Sequence, residues 1–252
     1  MTIVHRVSPL VNSHKVLFQD KLESSSNFLK SISSGSLTKN LGLHGGSCVR
    51  VAYVPNNIGS PRLAAYVAIN DTNRVEYTLE YYLFFEEGFE WVKGGKLPGL
   101  RGGPLSVTTT GCVKPQPTNA WSYRLMWKRD GNVCLYIYDQ TRITTNADCG
   151  IVTQTTAPVF QIGKWHRIQI YMKLNSGANK PDGTAELWLD NKLILKRTEI
   201  PFRGDENATI DHVCFSSFYG GNDATWAPSK TTYIRFDNFT LYKGKAINIA
   251  AG

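Results

Sequence analysis

Residues 75 to 85 read VEYTLEYYLFF. In an extended chain Tyr77, Leu79, Tyr81, Leu83 and Phe85 point to one side, and Thr78, Glu80 and Tyr82 point to the other. That period of two predicts a strand with one face in the core and the other partly wet. The pattern recurs on both sides, as CVRVAYV (48–54), AYVAI (65–69), WSYRLMW (121–127), VCLYIYD (133–139), WHRIQIYMKL (165–174), TAELWLD (184–190), VCFSSFY (213–219) and TTYIRFDNFTLY (231–242). Pro-Asn-Asn, Arg-Asp-Gly, Pro-Asp-Gly and Gly-Gly-Asn between them supply turns. Only the stretch from Ser25 to Ile32 hints at helical periodicity. Many short strands without intervening helices predict an all-β architecture, a two-sheet sandwich or a barrel.

The chain has 252 residues, 42% of them hydrophobic and 12% aromatic, so one domain over 1–252 with a sizeable core is expected. No apolar run approaches the roughly 18 residues of a membrane span, which argues against a membrane partner. The opening MTIVHRVSPLVNSHKV lacks the pattern of a secretory signal. The compartment is left unknown. With 28 Lys and Arg against 20 Asp and Glu the formal charge is +8, which attracts polyanions. The basic residues are dispersed, as on a folded cationic surface, and no nucleic-acid-binding motif accompanies them. Cys48, Cys112, Cys134, Cys149 and Cys214 form no CxxC and have no His at ligand spacing, so no metal is expected and mostly free thiols are.

From Gly163 onward the cadence GKWHRIQIYMKLN, DGTAELWLDNKLI and YIRFDNFTLY resembles the back sheet of concanavalin-like jelly rolls. The resemblance implies a sandwich of two antiparallel sheets and casts Trp165, His166, Trp188 and Asp237 as structural residues. Lectins, lyases and glycosidases share this fold, so it carries no activity by itself.

The hairpin WSYRLMWKRDGNVCLYIYD is the informative region, a candidate catalytic surface. Trp121, Tyr123, Leu125 and Trp127 share one face of its first strand, and Ser122, Arg124 and Met126 share the other. In the second strand Val133, Leu135 and Ile137 oppose Cys134, Tyr136 and Tyr138. Both apolar sets must face the core, which a three-residue loop Arg129-Asp130-Gly131 with left-handed Gly131 satisfies. Arg124 is then predicted opposite Tyr136, and Ser122 opposite Tyr138. A plain exposed sheet face with cation–π contacts is the competing reading. Upstream, WVKGGKLPGLRGG (91–103) has the glycines of a connection, with Pro98 limiting its freedom and Lys93, Lys96 and Arg101 as its cations.

The run FEWVKGGKLPGLRGG, together with R-x-M-W-x-R-D-G and Y-x-Y, resembles the family 14 polysaccharide lyases over most of the chain from about Cys48. Within that family the pattern is most similar to chlorovirus enzymes acting on glucuronate-containing polymers. The resemblance implies a concave cationic groove, no cofactor, and an anionic polysaccharide partner for a monomer. Its functional residues fall on Lys96, Ser122, Arg124, Tyr136 and Tyr138, with Lys96 preferred to Lys93 as the family lysine. Lys93, Arg101, Glu80 and Tyr82 join Ser122 as candidate substrate-binding residues. Eliminating a uronate needs a cation on the carboxylate, a base at C5 and an acid at the leaving oxygen, roles suited to arginine, tyrosine and lysine. The order of the two tyrosines stays open. A non-catalytic glycan-binding module and a glycoside hydrolase are the rivals; for hydrolysis, Glu80 with Glu86 or Glu87 does not form an E-x-D-x-E motif.

Overall fold

The computed structural model describes residues 14–23, 37–57, 63–107, 109, 120–141, 150–178, 180–221 and 223–248. The weak helical stretch at Ser25–Ile32, Cys112 and Cys149 lie outside them. One sheet comprises β1 (Val16–Asp20), β2 (Leu37–Thr38), β3 (Cys48–Tyr53), β5 (Glu76–Phe85), β10 (Trp165–Lys173), β11 (Gly183–Leu189), β12 (Lys192–Ile200) and β14 (Thr232–Lys243). The other comprises β4 (Leu63–Ala68), β6 (Gly94–Gly102), β7 (Trp121–Lys128), β8 (Val133–Tyr138), β9 (Ile151–Gln154) and β13 (Ile210–Tyr219). The first runs in the order β12-β11-β10-β5-β14-β3-β2, with β1 also on β14, and the second in the order β4-β13-β6-β7-β8-β9. All their ladders are antiparallel. Among the described residues there is no α-helix, only three short 3-10 turns.

The predicted alternation places the core between the sheets. Tyr77, Leu79, Tyr81, Leu83 and Phe85 of β5 share one buried cluster with Trp121, Tyr123, Leu125 and Trp127 of β7 and Val133, Leu135 and Ile137 of β8. Buried phenols need partners. Tyr123 donates to the Glu186 carbonyl at 2.8 Å, Tyr219 to the Glu90 carbonyl, and Tyr53 bonds Ser217. The residues cast as structural are engaged structurally: His166 bonds Asp190, Trp188 donates to Glu186, and Asp237 accepts from the Leu43 and Asn238 amides. Cys48 and Cys214 are buried free thiols.

The glycine-rich stretch corrects the expectation of a connection. Gly94–Gly102 is a fully buried inner strand, paired on one side with β13 and on the other with β7. Its glycines answer to space. A Cβ on Gly95 would run into the Trp127 ring, and one on Gly102 into the Trp121 ring, so the two indoles occupy the room that side chains on β6 would need. Pro98 has no N–H for a ladder, and both ladders skip it: the register shifts between Leu97 and Gly99 on the β7 side and between Cys214 and Phe218 on the β13 side. The Pro98 carbonyl accepts instead from Tyr81 of the opposite sheet, at 3.5 Å.

Strand β12, KLILKRTEI, escapes the alternation rule because it is an edge. Lys192, Leu193, Lys196 and Glu199 line a mostly accessible strand whose charges guard against pairing with another chain. The hairpin loop follows the predicted register, with Gly131 at φ 77°, and Asp130 also left-handed at φ 57°.

At Gly99 a Cβ would overlap the Tyr123 carbonyl oxygen and lie 2.7 Å from Arg124 Cα, backbone that cannot swing aside. Gly99→Ala is therefore expected to cost about 1–3 kcal/mol, a drop of several degrees in Tm by calorimetry. An unchanged Tm would show that β6 and β7 do not approach this closely.

Candidate active site

Register dictates which side chains gather on the outer face of the six-stranded sheet. Three rows cross it. In the first, Phe218, Lys96, Met126, Cys134 and Gln154 are successive partners on β13, β6, β7, β8 and β9. The second runs Tyr66, Cys214, Gly99, Arg124, Tyr136 and Val152. The third runs Ala68, His212, Arg101, Ser122 and Tyr138. Lys96, Arg101, Ser122, Arg124, Tyr136 and Tyr138 thus share one face, as the parity of the hairpin requires.

Within this face the contacts are close. The Tyr136 and Tyr138 hydroxyls lie 3.2 Å apart, and their rings meet edge to face with centroids 5.4 Å apart. The Lys96 ammonium sits 3.5 Å from the Tyr136 ring centroid and also donates to the Met126 thioether. The Arg124 guanidinium lies 5.7 Å from the Tyr136 centroid and 5.8 Å from that of Tyr138. Arg124 is 3% exposed, yet its Nε and Nη2 have no hydrogen-bond partner among the described residues. A buried guanidinium with idle donors is costly, because its hydration is lost without replacement.

The remaining candidates divide. Ser122 donates its hydroxyl proton to the Thr109 carbonyl at 3.0 Å, so it anchors chain beside the face. Arg101 holds the next turn through Nη2, bonded to the carbonyls of Pro104 at 2.8 Å and Val107 at 3.0 Å. Lys93 stands at the Lys96 end, bonded to Thr225 and 5.6 Å from the Trp226 ring, with the Lys128 ammonium 5.9 Å from the same ring. Trp226 packs on the cluster of Met126, Cys134, Tyr136 and Tyr138.

Glu80 and Tyr82 are not brought to this site. Both lie on β5, in the eight-stranded sheet, on the face turned away from the core residues of that strand. Glu80 is buried there in an ion pair with Arg167 at 2.7 Å and accepts from Gln169. Alternation gave their face correctly as the non-core one, but that face belongs to the other sheet. Glu86, the other carboxylate considered, is tied to Arg50 and Arg235. Burial opposes its ionisation, but those two guanidiniums hold it below the usual carboxylate range.

Three residues that the local pattern did not single out also face the site: Tyr66, His212 and Trp226. Burial raises the Tyr66 phenol against the pull of Arg101 and Arg124. Burial and the Arg101 charge lower His212, which favours neutral imidazole. The strands holding Tyr66 and His212 are legible from sequence, but their pairing beside β6 is long-range. Among the described residues no three His, Cys, Asp or Glu gather to hold a metal ion.

One sheet of this two-sheet jelly roll therefore presents two phenols together with Lys96, Arg101 and Arg124 on its outer face. The chain belongs to the polysaccharide lyase 14 family, whose profile matches residues 48–239. Exolysin of Paramecium bursaria Chlorella virus 1 is 27% identical over 195 residues, an alignment covering 66% of this chain and 29% of that protein. The chain thus spans under a third of the length of the curated relative it matches. Its fold is similar to that of a marine alginate lyase from Aplysia kurodai, with TM-score 0.75 and 20% identity over 91% of this chain and 99% of that one. It is also similar to an alginate lyase from a Chlorella virus, with TM-score 0.63 and 22% identity over 92% and 93% of the two chains.

If Arg124 is held at a cost, replacing it by an uncharged chain of similar length relieves that cost. Arg124→Met is expected to raise Tm, by roughly 1–3 kcal/mol of added stability, while weakening binding of anionic glycans in titration. A lower Tm would mean that its aromatic contacts outweigh its unpaired donors.

Proposed function

We propose that this protein cleaves uronate-containing polysaccharides, glucuronan or alginate, by β-elimination. The observation that carries the reading is the buried Arg124, whose Nε and Nη2 have no partner among the described residues and lie beside a hydrogen-bonded pair of phenols. A planar guanidinium with adjacent idle donors fits a carboxylate in bidentate fashion. The alginate lyases of similar fold and the family membership point to the same substrate class.

The chemistry follows from placing the substrate carboxylate on Arg124. Removal of the C5 proton sends charge into that carboxylate, where Arg124 and Lys96 stabilise it with groups already in position. One phenolate of the Tyr136 and Tyr138 pair takes the proton. The electrons of the C5–H bond form the C4–C5 double bond as the C4–O bond breaks, and the other phenol gives a proton to the leaving oxygen. An isolated phenol ionises near pH 10, and Lys96 and Arg124 set two cationic side chains beside the pair. No covalent intermediate is needed, and Ser122, with its proton committed to Thr109, serves to hold the site in shape.

Glycoside hydrolysis is disfavoured by the carboxylates considered for it, because Glu80 and Glu86 are both engaged with arginines in the other sheet. A non-catalytic binding module would use the same face. The absorbance of the conjugated product separates the two when polyglucuronate and alginate are offered. Tyr138→Phe is expected to lower kcat by about 100-fold or more while KM changes little. In the wild type kcat/KM is expected to rise from neutral toward alkaline pH, as a phenolate base requires. A maximum on the acid side of neutrality would remove the tyrosines from the base role.

A further inference from the structure

At the end of the third row a pocket of about 500 Å³ opens, lined in part by Ala68, Arg74, Gly103, Asp211 and His212. It lies off the reacting groups. His212 pairs with Arg101, Arg101 with Ser122 and Ser122 with Tyr138, so three inter-strand steps, about 14 Å, separate His212 from the nearer phenol strand. That is more than one sugar ring spans. One wall, the turn after Gly102, is held by the bonds from Arg101 to Pro104 and Val107.

The polar groups here are unevenly satisfied. The Asp211 carboxylate is bonded at both oxygens: Oδ1 accepts from Arg74 at 2.9 Å and Thr209 at 2.7 Å, and Oδ2 accepts from the Gly103 amide at 2.7 Å. Among the described residues three buried nitrogens nearby have no partner: Arg74 Nε, His212 Nδ1 and, on the neighbouring strand, Arg101 Nε. Arg101 is 4% exposed. Two of these nitrogens, Arg74 Nε and His212 Nδ1, belong to residues that line the pocket, and an orphaned buried donor or acceptor at a cavity is a place where an outside group can complete the bonding. Burial and the Arg101 charge favour a neutral His212 ring, which then offers one donor and one acceptor. That pairing suits a hydroxyl-bearing sugar better than a bare inorganic anion.

We infer that this pocket is a distal subsite for a uronate residue of the bound polymer, with His212 and Arg74 meeting its carboxylate and hydroxyls. The inference rests on the lyase reading for its ligand class. It makes His212 a residue that selects chain length, apart from the eliminating groups.

The test is calorimetric titration of alginate and polyglucuronate oligomers of increasing length into the wild type, His212→Ala and Ala68→Trp. Ala68 is exposed at the pocket, so the indole fills it without disturbing the core; circular dichroism confirms folding. The wild type is expected to gain affinity in a step once an oligomer reaches the pocket. Both variants are expected to lose that step and to bind long oligomers about tenfold more weakly. The same length dependence in Ala68→Trp as in the wild type overturns the subsite, as does a wild type with no step. The absorbance assay on the wild type stands apart: a step without unsaturated product defeats the lyase reading alone, and product without a step defeats the subsite alone.

Discussion

Four large apolar side chains, Trp121, Tyr123, Leu125 and Trp127, have to face the opposite sheet, and this packing constraint settles the rest. It fixes the rotation of β7, so Ser122, Arg124 and Met126 have no choice but the outer face. It demands room on β6, which is supplied where Gly95 and Gly102 lie beneath the two indoles. Through the three-residue turn at Arg129–Gly131 it also fixes β8, setting Tyr136 beside Arg124 and Tyr138 beside Ser122. The geometry of the proposed reacting groups is thus inherited from the core.

The same packing loads the outer face with charge that the protein does not fully satisfy. Several of its buried or half-buried ions are matched: Arg50 and Arg235 share Glu86, Arg167 takes Glu80, and Lys245 takes Glu186. Arg124 differs, with two nitrogens unpartnered among the described residues, and Arg74, Arg101 and His212 each keep one such nitrogen. Strain of this kind is the usual cost of a preformed electrostatic site, because donors that meet substrate charge have to be held away from protein partners beforehand.

The hairpin was legible in the sequence because its constraints are local: alternation on each strand and one short turn determine every pairing from Ser122 to Tyr138. Strand β6 was not. Glycine and proline at this density signal a turn, and only the indoles from β7 and the paired bulges around Pro98 make them strand residues. Glu80 and Tyr82 show a second limit, since alternation separates inside from outside without saying to which sheet the outside belongs. Tyr66 and His212 show a third. Their strands were visible, but the order β4-β13-β6 that sets them beside Arg101 comes from sequence-distant pairing.

The central claim is that Arg124 keeps donors idle for a uronate carboxylate. A crystal structure of the Tyr138→Phe variant with a uronate tetrasaccharide tests it most directly. The account predicts one sugar carboxylate against Arg124, with Nε and Nη2 each about 2.7–2.9 Å from an oxygen and the C5 hydrogen directed at the Tyr136 hydroxyl or the position of the missing one. An oligosaccharide bound elsewhere, with those two nitrogens still unpaired, would contradict it.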